Sequence, residues 1–338
     1  MVRIIGSTFI MALVLFFSFH IYVKHESTRV NALPEKTISF SILRGERTLD
    51  VTRHLKAARV ISSEMTFLYY LLESGQWGKF VAGQYAFSRE ASFESIASKL
   101  TKGDVVPQSE RITFPEGFTA KQMASRLTER NLPGEEFLKL VRSPTQDLLK
   151  SSPLLYDLPL GSTLEGYLFP DTYEFSLQAS ADDIVGIFLK NFDRRFDETL
   201  RMEAKNQKKT VFEVVTMASL LEVEVRSESD RKLVADLFYR RLSVAMPLQS
   251  DATVRYVLGI DKAQYSGVDI ATDSPYNTYV YNGLPKGPID NPGIVALRAA
   301  LFPTPNDFWY FLSDQKTGET VFSRDFEEHK RNKSLHGL

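Results

Sequence analysis

Residues 210–225, TVFEVVTMASLLEVEV, constrain this chain more than any other stretch. Read as an α-helix, they bury Val211, Phe212, Val214, Val215, Met217, Leu220 and Leu221 and leave too few polar positions for a solvated face. Such a helix belongs inside a core, yet it carries Glu222 near its end. Desolvation raises the pKa of a glutamate, which is what a general acid requires. Helical side chains lean toward the N-terminus, so Glu222 lies over Ala218 and Ser219, which are small enough to leave room for a ligand. The plainer reading is a helix-end glutamate bridged to a neighbour. Glu224 follows two residues on, about 200° round the helix, and is expected to face the other way.

A length of 338 residues suits one membrane anchor and two modest domains. Its 41 basic and 42 acidic residues supply no basic field for nucleic acid, so that class of partner is excluded. The absence of cysteine rules out disulfides, thiol catalysis and cysteine-ligated zinc. The five histidines show no spacing of the HExxH kind, and neither a metal nor another cofactor is expected.

Residues 4–23 are apolar apart from Ser7, Thr8, Ser18 and His20, long enough as a helix to cross a bilayer core. A single-pass signal anchor is expected there, with residues 1–3 as a cytoplasmic tip. A signal peptide cleaved near Val30 and Ala32 is the alternative, but the apolar run exceeds the usual one. Residues 24–36 read as a tether. From Thr37 the pattern gives β-α-α-β-α over residues 37–106, with Ser92 as an N-cap. A second, mixed domain over residues 107–332 opens with RITF (111–114) as a strand and a helix capped by Thr119, making the chain α+β overall. Residues 309–312 and 320–322 read as a closing hairpin around Thr317 and Gly318. The segment LEGYLFPDTYEF (164–175) sets aromatic rings among Glu165, Asp171 and Glu174, a composition suited to sugar stacking or to packing on the core.

The motifs ASLLEVE (218–224), YRRL (239–242), MPLQSDATVRY (246–256), SPYNTY (274–279), GLPKGPIDNPG (283–293) and FSRDFEEH (322–329) occur in that order. With FPEGFT (114–119) and LEGYLFPDTY (164–173) before them, they resemble the endolytic murein transglycosylases of the MltG/YceG type. One departure stands out: the family commonly has Lys and Glu after its catalytic Glu, whereas Val223 and Glu224 follow here.

The resemblance implies that Glu222 is the catalytic glutamate and that residues 37–106 form a LysM-like domain. It also implies that both domains lie outside the bacterial cytoplasmic membrane, tethered by a single span. The implied activity is cleavage of MurNAc-β-1,4-GlcNAc bonds within peptidoglycan glycan strands, leaving 1,6-anhydroMurNAc ends, beside the peptidoglycan synthases of wall growth. Gln249, Asp251, Tyr276, Asn277 and Tyr279 fall at motif positions implied to line the cleft, Glu165 and Tyr167 are further substrate-binding candidates, and Glu224 is implied to be structural. Two other classes stay open. One is a two-carboxylate murein hydrolase, with Asp251 or Glu165 as the second acid; the other is a non-catalytic peptidoglycan-binding membrane scaffold.

Overall fold

A computed structural model describes residues 2–28, 31–106, 108–262, 264–313 and 318–336, with the side chains of residues 2–9, 12, 31–36, 88–90 and 151 outside that description. The chain divides into two compact units, residues 1–108 and 109–338.

In the first unit, helix α1 (Val2–Thr28) precedes an antiparallel pair, β1 (Asn31–Ile42) and β2 (Gly83–Ala91). Helices α2 (Thr48–Ala57) and α3 (Glu64–Glu73) lie between the strands in sequence, and α4 (Phe93–Lys102) follows them. This is the β-α-α-β-α order read from the sequence. Ser92 caps α4 in a capping box with Ser95. Phe40, Ile42, Tyr85 and Phe87 on the sheet and Val51, Leu55, Phe67, Leu71, Phe93, Ile96 and Leu100 on the helices form the core. The described residues of the expected 24–36 tether are helix and strand: α1 runs to Thr28, and Asn31 and Ala32 pair with Ala91 and Glu90. Ladder pairing with a distant strand overrides a local pattern this weak.

Helix α1 covers the whole of the expected 4–23 span and exposes Ile10, Met11, Val14, Leu15, Phe16, Phe17 and Ile21. Among the described residues no helix is long and apolar enough to cross a membrane. Part of the expected span, at residues 4–9 and 12, has side chains outside the described set.

The second unit is a mixed α+β assembly. Strand β3 (Ser109–Thr113) pairs antiparallel with β4 (Thr172–Ser176), Ser109 opposite Ser176. Between them in sequence come α5 (Ala120–Thr128), α6 (Gly134–Arg142), α7 (Gln146–Ser151) and a 3₁₀ turn at Pro153–Leu155. Thr119 caps α5 in a box with Gln122. The 164–175 segment is core: Leu164, Tyr167, Leu168, Phe169, Tyr173 and Phe175 are buried, and the Tyr173 ring meets Phe188 edge-on at 4.6 Å. No ring in this group is free to stack on a sugar.

Helices α8 (Ala181–Arg195) and α9 (Glu198–Asn206) lead to α10 (Val211–Glu224), which Thr210 opens with a capping box to Glu213. Every residue from Val214 to Leu221 is buried. Fully burying apolar side chains of this size is worth about 1.5–3 kcal/mol each, so α10 is held by packing rather than by its intrinsic propensity. Helices α11 (Glu228–Ser243), α12 (Asp251–Leu258) and α14 (Ile294–Leu301) pack against it, with the short α13 (Gly267–Ile270) beside α12. The hairpin β5 (Tyr310–Ser313) and β6 (Thr320–Ser323) and the final helix α15 (Phe326–His336) complete the unit. Thr317, expected at the hairpin turn, lies outside the described residues.

Three loops meet on one side chain, that of the fully buried Asn291. Its Oδ1 accepts from the backbone N–H of Gly166 and of Leu168, each at 2.9 Å, and its Nδ2 donates to Phe118 O and to Glu165 Oε1, each at 2.9 Å. Its backbone forms an isolated antiparallel bridge with Phe118. Ser219 Oγ of α10 accepts from Ile289 N at 3.1 Å, which fixes the same loop to the central helix. Replacing Asn291 with Ala strands several buried polar groups at once, and chemical denaturation is expected to show a loss of about 3 kcal/mol or more.

Candidate active site

The C-terminal end of α10 opens into a cavity of about 470 Å³ lined by Glu222, Val223, Glu224, Val225, Arg226, Arg231, Ser313, Gly318 and Thr320. The helix stops because Val225 turns extended (φ −143°, ψ 148°). Arg231 of α11 donates through Nε to Val225 O at 3.1 Å and through Nη2 to Glu222 O at 3.3 Å, capping carbonyls that the helix leaves unpaired. The same Nη2 donates to Glu222 Oε1 at 2.6 Å, while Gly293 N–H donates to Oε2 at 2.9 Å. The Glu222 side chain is 5% exposed. Glu222 is therefore paired with a neighbour, as the plainer reading of its sequence expects, and its side chain also lines the cavity.

Burial pushes the Glu222 carboxyl above the ordinary glutamate range; Arg231 and the Gly293 N–H pull it down, and Glu116 pushes it up again. Both oxygens are fixed in direction but keep further lone-pair capacity, so the group is oriented without being saturated. A carboxyl in this setting can hold a proton, give it to a leaving oxygen and take one back.

Glu224 departs from expectation. Its Oε1 accepts from Ser250 Oγ and its backbone oxygen accepts from Ser313 Oγ at 2.9 Å, so its bonds do differ from those of Glu222. It nevertheless lines the same cavity, because the helix ends there and the space wraps around its last turn. Burial raises the Glu224 carboxyl, with Asp251 adding to the rise.

The other sequence-derived candidates separate into groups. Asp251 opens α12, and its Oδ1 accepts from Tyr279 Oη at 2.6 Å, beside Glu224. Gln249 is exposed next to them with a left-handed φ of 53°. Asn277 is buried and organises its own loop, donating to Ile270 O and Thr272 O and accepting from Tyr279 N. Tyr276 lines a separate small cavity of about 60 Å³ with Phe212 and Lys286. Glu165 and Tyr167 are interior and do not reach the main cavity. Their motif packs on the core, where Glu165 Oε1 accepts from Ala120 N at 2.7 Å and from Asn291.

Sequence reasoning did not single out Arg231, Gly293, Glu116 or Asp290. Gly293 and Asp290 stand in GPIDNPG and Glu116 in FPEGFT, both noted as motifs, but spacing alone does not bring two distant loops to one helix end. A Cβ on Gly293 would lie 1.7 Å from Glu116 Oε1, so a side chain at that position would displace the Glu116 carboxylate. Asp290 is buried with both carboxyl oxygens lacking a hydrogen-bond partner among the described residues, and burial, reinforced by Glu222 and Glu165, raises it well above the ordinary range. Among the described residues no cluster of three or more His, Asp or Glu is arranged to hold a metal ion.

Residues 40–334 match the model of the YceG-like family. The chain is 35% identical over 308 residues to the endolytic murein transglycosylase of Bacillus subtilis (strain 168), covering 88% of this chain and 84% of that protein. It is 30% identical over 338 residues to the endolytic murein transglycosylase of Streptococcus pneumoniae serotype 2, covering 93% of this chain and 61% of that protein. A 2.6 Å crystal structure of a putative YceG-like protein from Listeria monocytogenes aligns with a TM-score of 0.61 at 34% identity, covering 88% of this chain and 99% of that one.

Two stability measurements test these electrostatics. Glu165 is raised from 4.5 to about 7 by burial, so its contribution is complete below pH 4.5 and is lost as pH climbs through about 7. Both its bonds fall on Oε1, so Gln reproduces the protonated form. In denaturation across that window Glu165→Gln is expected to remove roughly 3 kcal/mol of the wild-type decline. Asp290→Ala, which removes a buried unsatisfied carboxyl, is expected to raise stability at pH 8 by about 1 kcal/mol or more in thermal unfolding.

Proposed function

Because the chain belongs to the YceG-like family, we propose that it is an endolytic murein lytic transglycosylase in which Glu222 is the catalytic acid and base. The observation that carries this reading is the Glu222 carboxyl itself: buried, oriented by Arg231 and Gly293, and facing a cavity at the end of the central helix. Protonated Glu222 gives its proton to the GlcNAc O4 as the C1–O4 bond breaks. The resulting carboxylate takes the proton of the MurNAc 6-hydroxyl while O6 bonds to C1. The products are a free GlcNAc 4-hydroxyl and a 1,6-anhydroMurNAc end. No water is consumed, so one carboxylate suffices and a second need not activate a nucleophile.

Asp251, Tyr279 and Gln249, beside Glu224, orient the glycan or its acetamido groups, and Tyr276 and Asn277 support that wall. Residues 37–106 act as a LysM-like glycan-binding domain. The apolar run at residues 4–23 anchors the chain in the cytoplasmic membrane with residues 37–106 and 107–332 on the outer side, where cutting nascent strands beside the synthases ends their elongation.

Glycan strands digested in heavy-oxygen water and analysed by mass spectrometry distinguish the chemistries. Unlabelled anhydro ends are expected, with Glu222→Gln lowering the rate about 10²–10⁴-fold. Labelled reducing ends would make the protein a two-carboxylate hydrolase. Strand binding without cleavage, indifferent to the substitution, would make it a scaffold. The rate is expected to fall on the alkaline side as the raised Glu222 carboxyl ionises.

A further inference from the structure

The turn before α5 reaches Glu222 in two ways. Gly117 has a left-handed φ of 75°, and a Cβ there would stand 3.6 Å from Glu222 Cγ. Glu116 extends over Gly293, with Oε1 in the space a side chain at that position would take. The backbone holds the two segments in register: Gly117 N donates to Asn291 O and Asn291 N donates to Phe118 O, each at 3.0 Å. Gly293 N–H is also the donor to Glu222 Oε2, and the covalent geometry of one residue then bounds the nearest oxygens of the two carboxylates at about 7 Å.

Glu116 is exposed, and among the described residues its carboxylate has no hydrogen bond and no cation paired with it. A negative charge lies close to the acid, in space that stays open because position 293 carries no side chain. We propose that Glu116 is a second functional carboxylate of this site, a fixed negative charge that acts on Glu222 and on the positive charge developing at the sugar ring as the glycosidic bond breaks.

The first effect is like-charge repulsion, which disfavours ionisation of Glu222 and opposes the pull of Arg231. The other groups facing Glu222 act differently: Arg231 on α11 is cationic and pulls the carboxyl down, and burial, with Glu222 adding to it, pushes the Asp290 carboxyl, from the loop before α14, well above its ordinary range and so disfavours a charge there. The second effect rests on the transglycosylase reading. An oxocarbenium-like transition state carries positive charge at C1 and the ring oxygen, and a preoriented anion lowers its energy without forming a bond. Protons pass only between Glu222 and the sugar oxygens, so the reaction balances with Glu116 unchanged.

Two measurements on the whole chain test this, comparing wild type with Glu116→Gln and Glu116→Asp. The Glu222 carboxyl, followed by carbon-13 NMR titration, is expected to titrate lower in Glu116→Gln by about half a unit. In glycan cleavage kcat is expected to fall about tenfold with KM little changed, with the alkaline limb of the pH profile moving down in step. Glu116→Asp should keep part of both effects. Since Glu116 is exposed and has no bond partner among the described residues, an unaltered melting temperature separates these effects from misfolding. An unmoved Glu222 titration overturns the proposal, and a moved titration with unchanged kcat overturns its transition-state half. Labelled reducing ends from wild type would instead overturn the transglycosylase reading, and the NMR titration would still report on Glu116.

Discussion

Asn291 is buried where the loops around residues 114–119, 164–168 and 287–293 converge, and its amide bonds to backbone groups of the first two. A primary amide offers two donors and an accepting oxygen in one rigid plane, so few other side chains could satisfy the same set. Through its backbone bridge to Phe118 it also places Glu116 next to Gly293, and through Gly293 it sets the N–H that orients Glu222. The site is thus built largely from loops, made rigid by hydrogen bonds that become strong and costly to lose when buried.

The electrostatics around α10 are a balance of opposed effects. Glu165, Glu222, Glu224 and Asp290 are all raised by burial, and few cations accompany them. Arg231 serves two ends at once, because the guanidinium that caps the last carbonyls of the helix also orients the carboxyl of Glu222. Orientation by a cation favours the ionised acid, which works against proton donation. Burial and the Glu116 charge offset that pull, which is how a fixed carboxyl can remain a usable acid.

Much of the local structure was legible in the sequence. Ser92 and Thr119 sit where N-caps are needed and form them, and the apolar character of residues 210–225 marks a buried helix. The β-α-α-β-α order of the first unit followed from the change between period-two and helical patterns. The strand beginning at Asn31 was hidden, because its partner lies about sixty residues on and its own residues read as a linker. In residues 164–175, aromatic rings beside carboxylates fit a sugar platform and a core equally well, since composition carries no information about which side of a segment is covered.

The sequence by itself determined that a glutamate would sit in a helix without a solvated face, and that its chain neighbours match an enzyme family over most of its length. Both follow from order along the chain, which fixes periodicity and motif spacing. Only the tertiary structure decided that Arg231, Gly293, Glu116 and Glu224 share the end of that helix, and that Glu165 and Tyr167 lie beneath it. These placements depend on loops that are far apart in sequence and joined by buried hydrogen bonds, and pairings of that kind leave no periodic signal in the chain.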